Sequence, residues 1–405
     1  VIELAVIAVL DDAGELHAGD LVFADPDAHG RYAGEFRYTE TWLAHPRRFA
    51  LDPESLPLAL GRGIVRSDNL RPPLAAFDDA LPDRWGRSLL VAAHRLPLRE
   101  QNEPRLLQLI GDGALGALRF RSAARPSATV PARIASLNLL LDAAERFERH
   151  EPIADSRLQR LLAAGGTPGG ARPKALLEHE GAGWIAKFPS GLLDEGHDVV
   201  RLEATGLELA RRAGLDVPVF QVAEVGRRAV LLVQRFDRAP RGGCRHMLSF
   251  RTLCREWPGA HVLDYGTLAA MLRKHAAQPA AQAAEFYRRV VFNAAFGNTD
   301  DHLKNFWLLH DVAGWRLSPA FDLLPDLGRR RQHTLAFDLH PDPPDRKTML
   351  ALGARWGVRD AAALIDQVTG AVAGFAAVAR ERGVPSADVA AFEGDIGARC
   401  RALLR

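Results

Sequence analysis

The chain begins with an apolar run, "VIELAVIAVL", then the polar turn "DDAG" (Asp11 to Gly14) and a second half-apolar run, "ELHAGDL". That pattern predicts a β-hairpin turning at Asp11 to Gly14. "GEFRYTETWL" (Gly34 to Leu43) alternates like a strand. "PPLAAFDDALPDRWGRSLLVAAHRL" (Pro72 to Leu96) reads as helix broken at "LPD", and "LLQLIGDGALGALRF" (Leu106 to Phe120) as helix, glycine-rich turn and strand. The Pro/Ser/Ala stretch "RSAARPSATVPAR" (Arg121 to Arg133) reads as a linker, and helical periodicity returns from Ile134 to about Ala163.

Beyond it, "GGTPGGARPK" (Gly165 to Lys174) predicts a glycine-rich loop that leads into a hairpin, Ala175 to His179 and Trp184 to Phe188, turning at "EGAG". Strict alternation puts Ile185 and Lys187 on one face, and Trp184, Ala186 and Phe188 on the other. His197 to Pro218 predicts a helix with Asp198 as N-cap and Gly214 at its stop; Glu203, Leu207 and Ala210 share a stripe. Two strand-like runs follow, Phe220 to Glu224 and Ala229 to Val233. After Arg235 the pattern is mostly helical, with a hairpin at Phe306 to Leu317 as the main exception.

This order predicts an α+β chain with three parts: an N-terminal α/β subdomain (1–130), a small β-rich lobe with one helix (131–235) and a large helical lobe (236–405). A small β lobe on a large helical lobe is the bilobal, protein-kinase-like arrangement. Composition fits a soluble globular protein, 47% apolar and 25% charged, and the net charge of +2 predicts no bulk attraction to nucleic acid or membrane. The densest basic run, "GRRRQH" (Gly328 to His333), reads as a solvated loop. The three cysteines, Cys244, Cys254 and Cys400, fit neither a zinc knuckle nor a CxxC motif; reduced thiols in a cytoplasmic protein are the simplest expectation.

The candidate chemistry is phosphoryl transfer, which needs phosphate-holding groups, hard-oxygen metal ligands and a carboxylate for the acceptor hydroxyl. In "NTDDHLKNFWLL" Asp300 and Asn305 lie five apart, and Asp322 follows Asn305 by 17 residues across the predicted hairpin. The protein-kinase pattern spaces its catalytic aspartate and metal-binding asparagine in this way, with a metal-binding aspartate further on. Lys187 is the one cation of its apolar strand, and Glu203 sits 16 residues later on the packing stripe of the next helix. That spacing suits a lysine on phosphates held by a helix carboxylate. The loop Gly165 to Lys174 is neither a Walker A nor a GxGxxG motif, but its glycines let backbone N–H groups approach phosphates. "LLVQRFDR" (Leu231 to Arg238) ends the β-rich lobe, where backbone groups near Gln234 and Phe236 could meet adenine.

Together these segments resemble the HipA family of serine/threonine kinases, the toxins of bacterial toxin–antitoxin systems. The resemblance runs nearly end to end through "FDDALPDRWGRSLL", "LIGDGALGAL", "TPGGARPKALL", "IAKFP", "VQRFDR", "NTDDHLKNF" and "LSPAFDLLP". It implies ATP and Mg²⁺ as cofactors. Asp300 becomes the catalytic aspartate, His302 and Lys304 supporting or phosphate-binding residues, and Asn305 and Asp322 the metal ligands. Gly169, Gly170, Ala171, Arg172, Lys174 and Lys187 would serve the ATP phosphates, with Glu203, Gln234 and Phe236 completing the nucleotide site. The resemblance makes Thr167 the autophosphorylation position, although serine is usual there and Pro168 follows it; glutamate is common at Gln234, and glycine or another residue at Asp301. It further implies a translation component as substrate, an aminoacyl-tRNA synthetase being the leading example, and a small helix-turn-helix antitoxin of HipB type through which DNA is bound. Two other readings stand beside it: a nucleotide-binding corepressor with little kinase activity, and a kinase of small molecules or lipids.

Overall fold

The computed structural model describes residues 1–11, 13–122, 132–133, 137–154, 156–158, 161–162, 170–240, 242–255 and 264–405. Its contacts group into two compact units that interleave along the chain. One holds Val1–Leu193, Gln234–Trp257 and Leu309–Ala313; the other holds Asp194–Val233, Pro258–Leu308 and Gly314–Arg405.

The first unit is built on a five-stranded antiparallel sheet in the order Val65–Asp68, Ala33–Tyr38, Gly14–Phe23, Ile2–Leu10, Leu118–Arg121. The expected first hairpin is its centre, with Leu10 paired to Gly14. Alternate side chains of these strands are buried, as a half-buried sheet requires. The third strand stops at Tyr38, earlier than its alternation suggests, because the Thr39 side chain accepts the Trp42 N–H and starts the short helix Glu40–Ala44. Helices Arg84–Ala93, Glu103–Ile110 and Leu137–Glu148 follow. The last of these ends at Glu148, with His150 at φ 55°, and helix resumes at 156–158 and 161–162, so the expected helical stretch is interrupted; Ala163 lies outside the described residues. A second hairpin, Lys174–His179 with Ala182–Lys187, turns through Glu180 (φ 52°) and Gly181 (φ 73°). Two successive positive φ values make this a primed turn, which matches the twist of paired strands.

The second unit is mainly helical. Its hairpin Phe220–Val225/Arg228–Gln234 pairs in register from Val233↔Phe220 to Arg228↔Val225. Helix Val199–Arg212 begins at Asp198, whose side chain accepts the Arg201 N–H, and is followed by Gly214 at φ 82°. The stripe Glu203, Leu207 and Ala210 is buried, as its spacing requires. Helix Pro279–Phe296 packs on Tyr265–His275, Ala361–Ala373 and Ser386–Leu404. Aromatic rings of Tyr265, Phe286, Phe306, Phe337 and Trp356 fill the space near the middle of that helix. Full burial of each such side chain is worth about 1.5–3 kcal/mol.

The expectation of mostly helix after Arg235 needs two corrections. His246–Ser249 is a strand in the first unit, and the stretch between Leu317 and Arg346 contains no helix or strand. Proline, glycine and side-chain-to-backbone bonds shape that stretch instead, and it carries Asp322.

Candidate functional site

In the second unit, Asp300 and Asn305 share one turn, and Asp322 follows beyond the hairpin. Helix Pro279–Phe296 ends at Gly297, whose φ of 70° closes it, and the Asn298 N–H donates to the Asn293 carbonyl at 3.0 Å. The chain then leaves the core at Asp300, whose side chain is 63% exposed. Asn305 follows on a single helical turn, and its Nδ2 donates to the Asp300 carbonyl at 2.7 Å. That bond commits the nitrogen end of the amide and leaves Oδ1 as the end suited to a hard cation. Asp300 Oδ1 accepts Arg330 Nη1 at 3.1 Å. Arg330 is exposed, as expected of the run "GRRRQH", but it is not idle, and His333 of the same run is buried.

The predicted hairpin forms, with strands Trp307–Asp311 and Gly314–Leu317. The Ser318 N–H donates to the Trp307 carbonyl at 2.8 Å, so the chain returns beside the residues that follow Asn305, four positions before Asp322. Two further bonds fix this return: Ala320 N–H to the Asp216 carbonyl at 2.7 Å, and Arg289 Nη2 to the Ser318 carbonyl at 2.6 Å. Arg289 is buried, and desolvation pulls its guanidinium down to about 10. Asp322 itself takes φ 58°. A non-glycine residue in the left-handed region is uncommon and strained, and such strain gathers at functional sites. Next to it, the Leu323 carbonyl lies so close to Gly206 that a β-carbon there would collide with it. Gly206 is one turn beyond Glu203, so the helix that carries buried Glu203 runs directly against the Asp322 segment. His302 and Lys304 are half-buried on the turn between Asp300 and Asn305.

In the first unit, the phosphate-holding candidates share one end of a hairpin. The alternation holds: Trp184, Ala186 and Phe188 are buried, and Ile185 and Lys187 are half-buried on the other face. Lys187 stands directly opposite Lys174 in the pairing register. The Lys174 ammonium also lies against Gly170, whose φ is 101°. The Gly170 N–H donates to Asp83 Oδ2 at 2.7 Å, and Trp85 Nε1 donates to the Lys174 carbonyl at 3.3 Å. Asp83 and Trp85 belong to "LPDRW", so that motif holds the end of the glycine loop. Ala171 is exposed, and Arg172 Nη2 donates to the Leu193 carbonyl at 3.3 Å. Thr167, Pro168 and Gly169 lie outside the described residues.

At "VQRFDR", Gln234 and Phe236 are half-buried, but the Phe236 carbonyl already accepts Arg245 Nη1 at 2.6 Å and the Arg235 N–H donates to the Gly183 carbonyl at 2.8 Å. Between them a buried pair joins Arg235 Nη2 and Nε to Asp237 at 2.6 and 3.0 Å, and Asp237 Oδ2 also accepts the Gly116 N–H at 2.9 Å. Burial alone would raise the Asp237 carboxyl; the Arg235 charge and hydrogen bonds outweigh it and hold the group well below the carboxylate range. This contact ties "VQRFDR" to the glycine turn of "GALGAL". Pattern reading missed it, since nothing local to either motif points to a partner more than a hundred residues away.

The site has the donor chemistry for Mg²⁺. Among the described residues no three His, Cys, Asp or Glu side chains gather as a cage. Mg²⁺ at nucleotide sites takes one or two protein oxygens with phosphates and water as the rest, and an amide oxygen and a carboxylate such as those of Asn305 and Asp322 are of that chemistry.

The α+β fold, with an aspartate, an asparagine five residues on and an aspartate after a hairpin, is of the kinase-like kind. Residues 166–375 match the family model described as the HipA-like C-terminal domain, and residues 13–121 match the HipA N-terminal domain. The chain therefore belongs to the HipA family. A protein of Sinorhizobium fredii (strain NBRC 101917 / NGR234) named "Putative kinase Y4mE" is 26% identical over 342 residues, 74% of this chain and 75% of that one. Its neighbour in name, "Putative kinase Y4dM" of the same strain, is 34% identical over 161 residues; the match spans 36% of this chain and only 38% of that relative's length. Among solved structures, HipA in the toxin–antitoxin complex of Shewanella oneidensis MR-1 HipA, HipB and operator DNA aligns with a TM-score of 0.70 at 20% identity, covering 98% of this chain and 96% of that one. This likeness establishes the expected α+β, HipA-like fold. Among the described residues no single helix is long and apolar enough to cross a membrane.

Proposed function

We propose that this protein is an ATP- and Mg²⁺-dependent serine/threonine-protein kinase, the toxin of a HipA/HipB-like pair. The observation that carries the reading is Asp300: an exposed carboxylate projecting from a fixed turn, with the Asn305 amide bonded to its own carbonyl. Asp300 would accept the proton of an incoming serine or threonine hydroxyl once Arg330 yields its place. Lys174 and Lys187, with the backbone from Gly170, would hold the phosphates of ATP. Asn305 and Asp322 would hold Mg²⁺, which when bound neutralises phosphate charge. His302 and Lys304 flank this turn as supporting residues. Arg172, Gln234 and Phe236 would border the nucleotide, with the Phe236 carbonyl kept by Arg245 rather than offered to adenine. Thr167, in the loop ahead of these residues, is the position for autophosphorylation.

The Shewanella complex contains HipB and operator DNA. By likeness we assign this chain a small helix-turn-helix antitoxin, DNA contact through that partner, and a cytoplasmic place of action. The substrate we propose is a translation component such as an aminoacyl-tRNA synthetase, whose modification would arrest growth. The test is phosphoproteomics of cells expressing the wild type beside Asp300→Asn, together with in vitro transfer of labelled phosphate with and without EDTA. Phosphosites that depend on Asp300 and on divalent metal support the kinase. ATP binding without turnover in either protein would replace it with the corepressor reading.

A further inference from the structure

Beside Asp300 stands a second carboxylate that the proposed reaction does not use. Asp301 is 0% exposed. Its Oδ1 accepts the Thr334 N–H at 2.7 Å and the Leu335 N–H at 3.3 Å. Its Oδ2 accepts the Tyr265 hydroxyl and His333 Nδ1 at 2.9 Å. A carboxylate only accepts, so the His333 proton on this side must lie on Nδ1, and Nε2 is left to accept. Arg399 Nη1 lies 3.4 Å from that Nε2, and Arg399 Nε donates to Asp395 at 2.6 Å. Burial and the Asp301 charge push the Tyr265 hydroxyl far above its ordinary range, so it stays a donor.

The same strap takes hold on the other side of Asp300. The Thr299 carbonyl accepts both the N–H and the hydroxyl of Thr334, each at 3.0 Å. Residues before and after Asp300 are thus fastened to 333–335, while the Asp300 carbonyl is fastened to Asn305. Only the Asp300 side chain is left to point outward. The strap also closes the loop that delivers Arg330. Asp326 accepts the N–H groups of Arg330 and Arg331 at 3.0 and 2.8 Å, and His333 ends the loop at Asp301.

We propose that Asp301 is a positioning residue for phosphoryl transfer, its buried carboxylate fixing the peptide from which Asp300 projects and so the direction of the base. This rests on the kinase reading above. All four groups facing Asp301 now donate to it, so an amide there keeps an acceptor for the two backbone N–H groups but turns its NH2 toward the Tyr265 hydroxyl and His333 Nδ1, which would have to change from donor to acceptor. Asp301→Asn therefore disturbs the clasp at nearly constant volume, whereas Tyr265→Phe removes one donor and leaves the carboxylate.

The experiment measures kcat and KM for transfer to the identified acceptor, MgADP affinity by calorimetry, and amide exchange at 299–301 and 333–335. It compares full-length wild type, Asp300→Asn, Asp301→Asn and Tyr265→Phe. The expected result is a fall in kcat of about 100-fold for Asp301→Asn, as misplacement of a reacting group by about an ångström produces, and about 3- to 10-fold for Tyr265→Phe. MgADP affinity should stay within about twofold, and exchange at Thr334 and Leu335 should quicken in Asp301→Asn. Unchanged kcat in Asp301→Asn overturns the proposal. So does a parallel loss of kcat and MgADP affinity in both variants, which would mark general damage. A wild type no more active than Asp300→Asn overturns the kinase reading instead, and leaves the clasp as architecture without a catalytic role.

Discussion

Asp237→Ala should be among the most damaging single substitutions in the first unit. It strips the partner from Arg235, whose side chain is 4% exposed, and leaves the Gly116 N–H without its acceptor. Breaking a buried ion pair from one side typically removes about 3–5 kcal/mol, and an orphaned buried N–H about 1–3 kcal/mol, the two overlapping in part. About 4–5 kcal/mol is expected, against total stabilities of about 5–15 kcal/mol for a domain. Most of that loss reflects the charge left behind rather than the worth of the pair. The double variant Arg235→Met/Asp237→Leu should therefore be less unstable than Asp237→Ala alone. Urea unfolding of Asp237→Ala and of the double variant, followed by circular dichroism, reads both numbers. The pair also has a pH signature. The folded Asp237 carboxyl lies below its unfolded value, so its contribution is complete above the ordinary carboxylate range and is lost as pH falls below it. Asp237→Ala within 1 kcal/mol of wild type, or a double variant less stable than Asp237→Ala, would refute this account of why "RFD" and "GALGAL" occur together.

Two further perturbations address other parts of the molecule. His246 is buried with Nε2 2.8 Å from the Leu51 carbonyl, and burial lowers it from 6.5 to about 4. The unfolded chain then binds the extra proton first, so stability falls as pH drops from 6.5 toward 4, by about 3 kcal/mol in all. His246→Phe should show a correspondingly flatter dependence of the urea midpoint between pH 7 and 4.5; an equal slope would exclude His246 as its source. Gly206→Ala adds a methyl against the Leu323 carbonyl. Overpacking of about 1–3 kcal/mol, less about 1 kcal/mol gained in helix propensity, gives a modest fall in melting temperature. Phosphate transfer should fall by far more than nucleotide affinity, because the displaced segment carries Asp322; equal losses would argue against its role at the metal.

Local rules carried the elements whose burial they encode. The alternation at Trp184 to Phe188, the cap at Asp198 and the stripe through Glu203 all follow from spacing, and the structure keeps them. The candidate site was legible where it is local: Asp300 and Asn305 are joined within one turn. What could not be read was set by distant partners. Asp301 differs from Asp300 in distant partners: Tyr265, 36 residues earlier, and His333, Thr334 and Leu335, 32 to 34 residues further on, supply donors. The run "GRRRQH" looked solvated because its charge density is all that composition reveals; which arginine bends back to Asp300 depends on Asp326 shaping the loop. Asp83, Arg289 and Asp237 were invisible for the same reason, since each bonds a backbone group far along the chain.

The near-neutral total charge hides a division of labour. The candidate phosphate-holding cations, Lys174 and Lys187, belong to the first unit, while Asp300, Asp322 and Glu203 belong to the second. A net charge of +2 therefore rules out a basic or acidic surface as a whole, but says nothing against a highly charged substrate. Within the second unit the adjacent aspartates divide again by environment alone. Asp301 is buried and surrounded by donors that hold structure; Asp300 is exposed and meets the exposed guanidinium of Arg330. Exchanging the two roles would require moving the strap at 333–335, not changing a residue. For that reason an aspartate at 301 is fitted to this chain's own strap, and its substitution tests the strap and the base together.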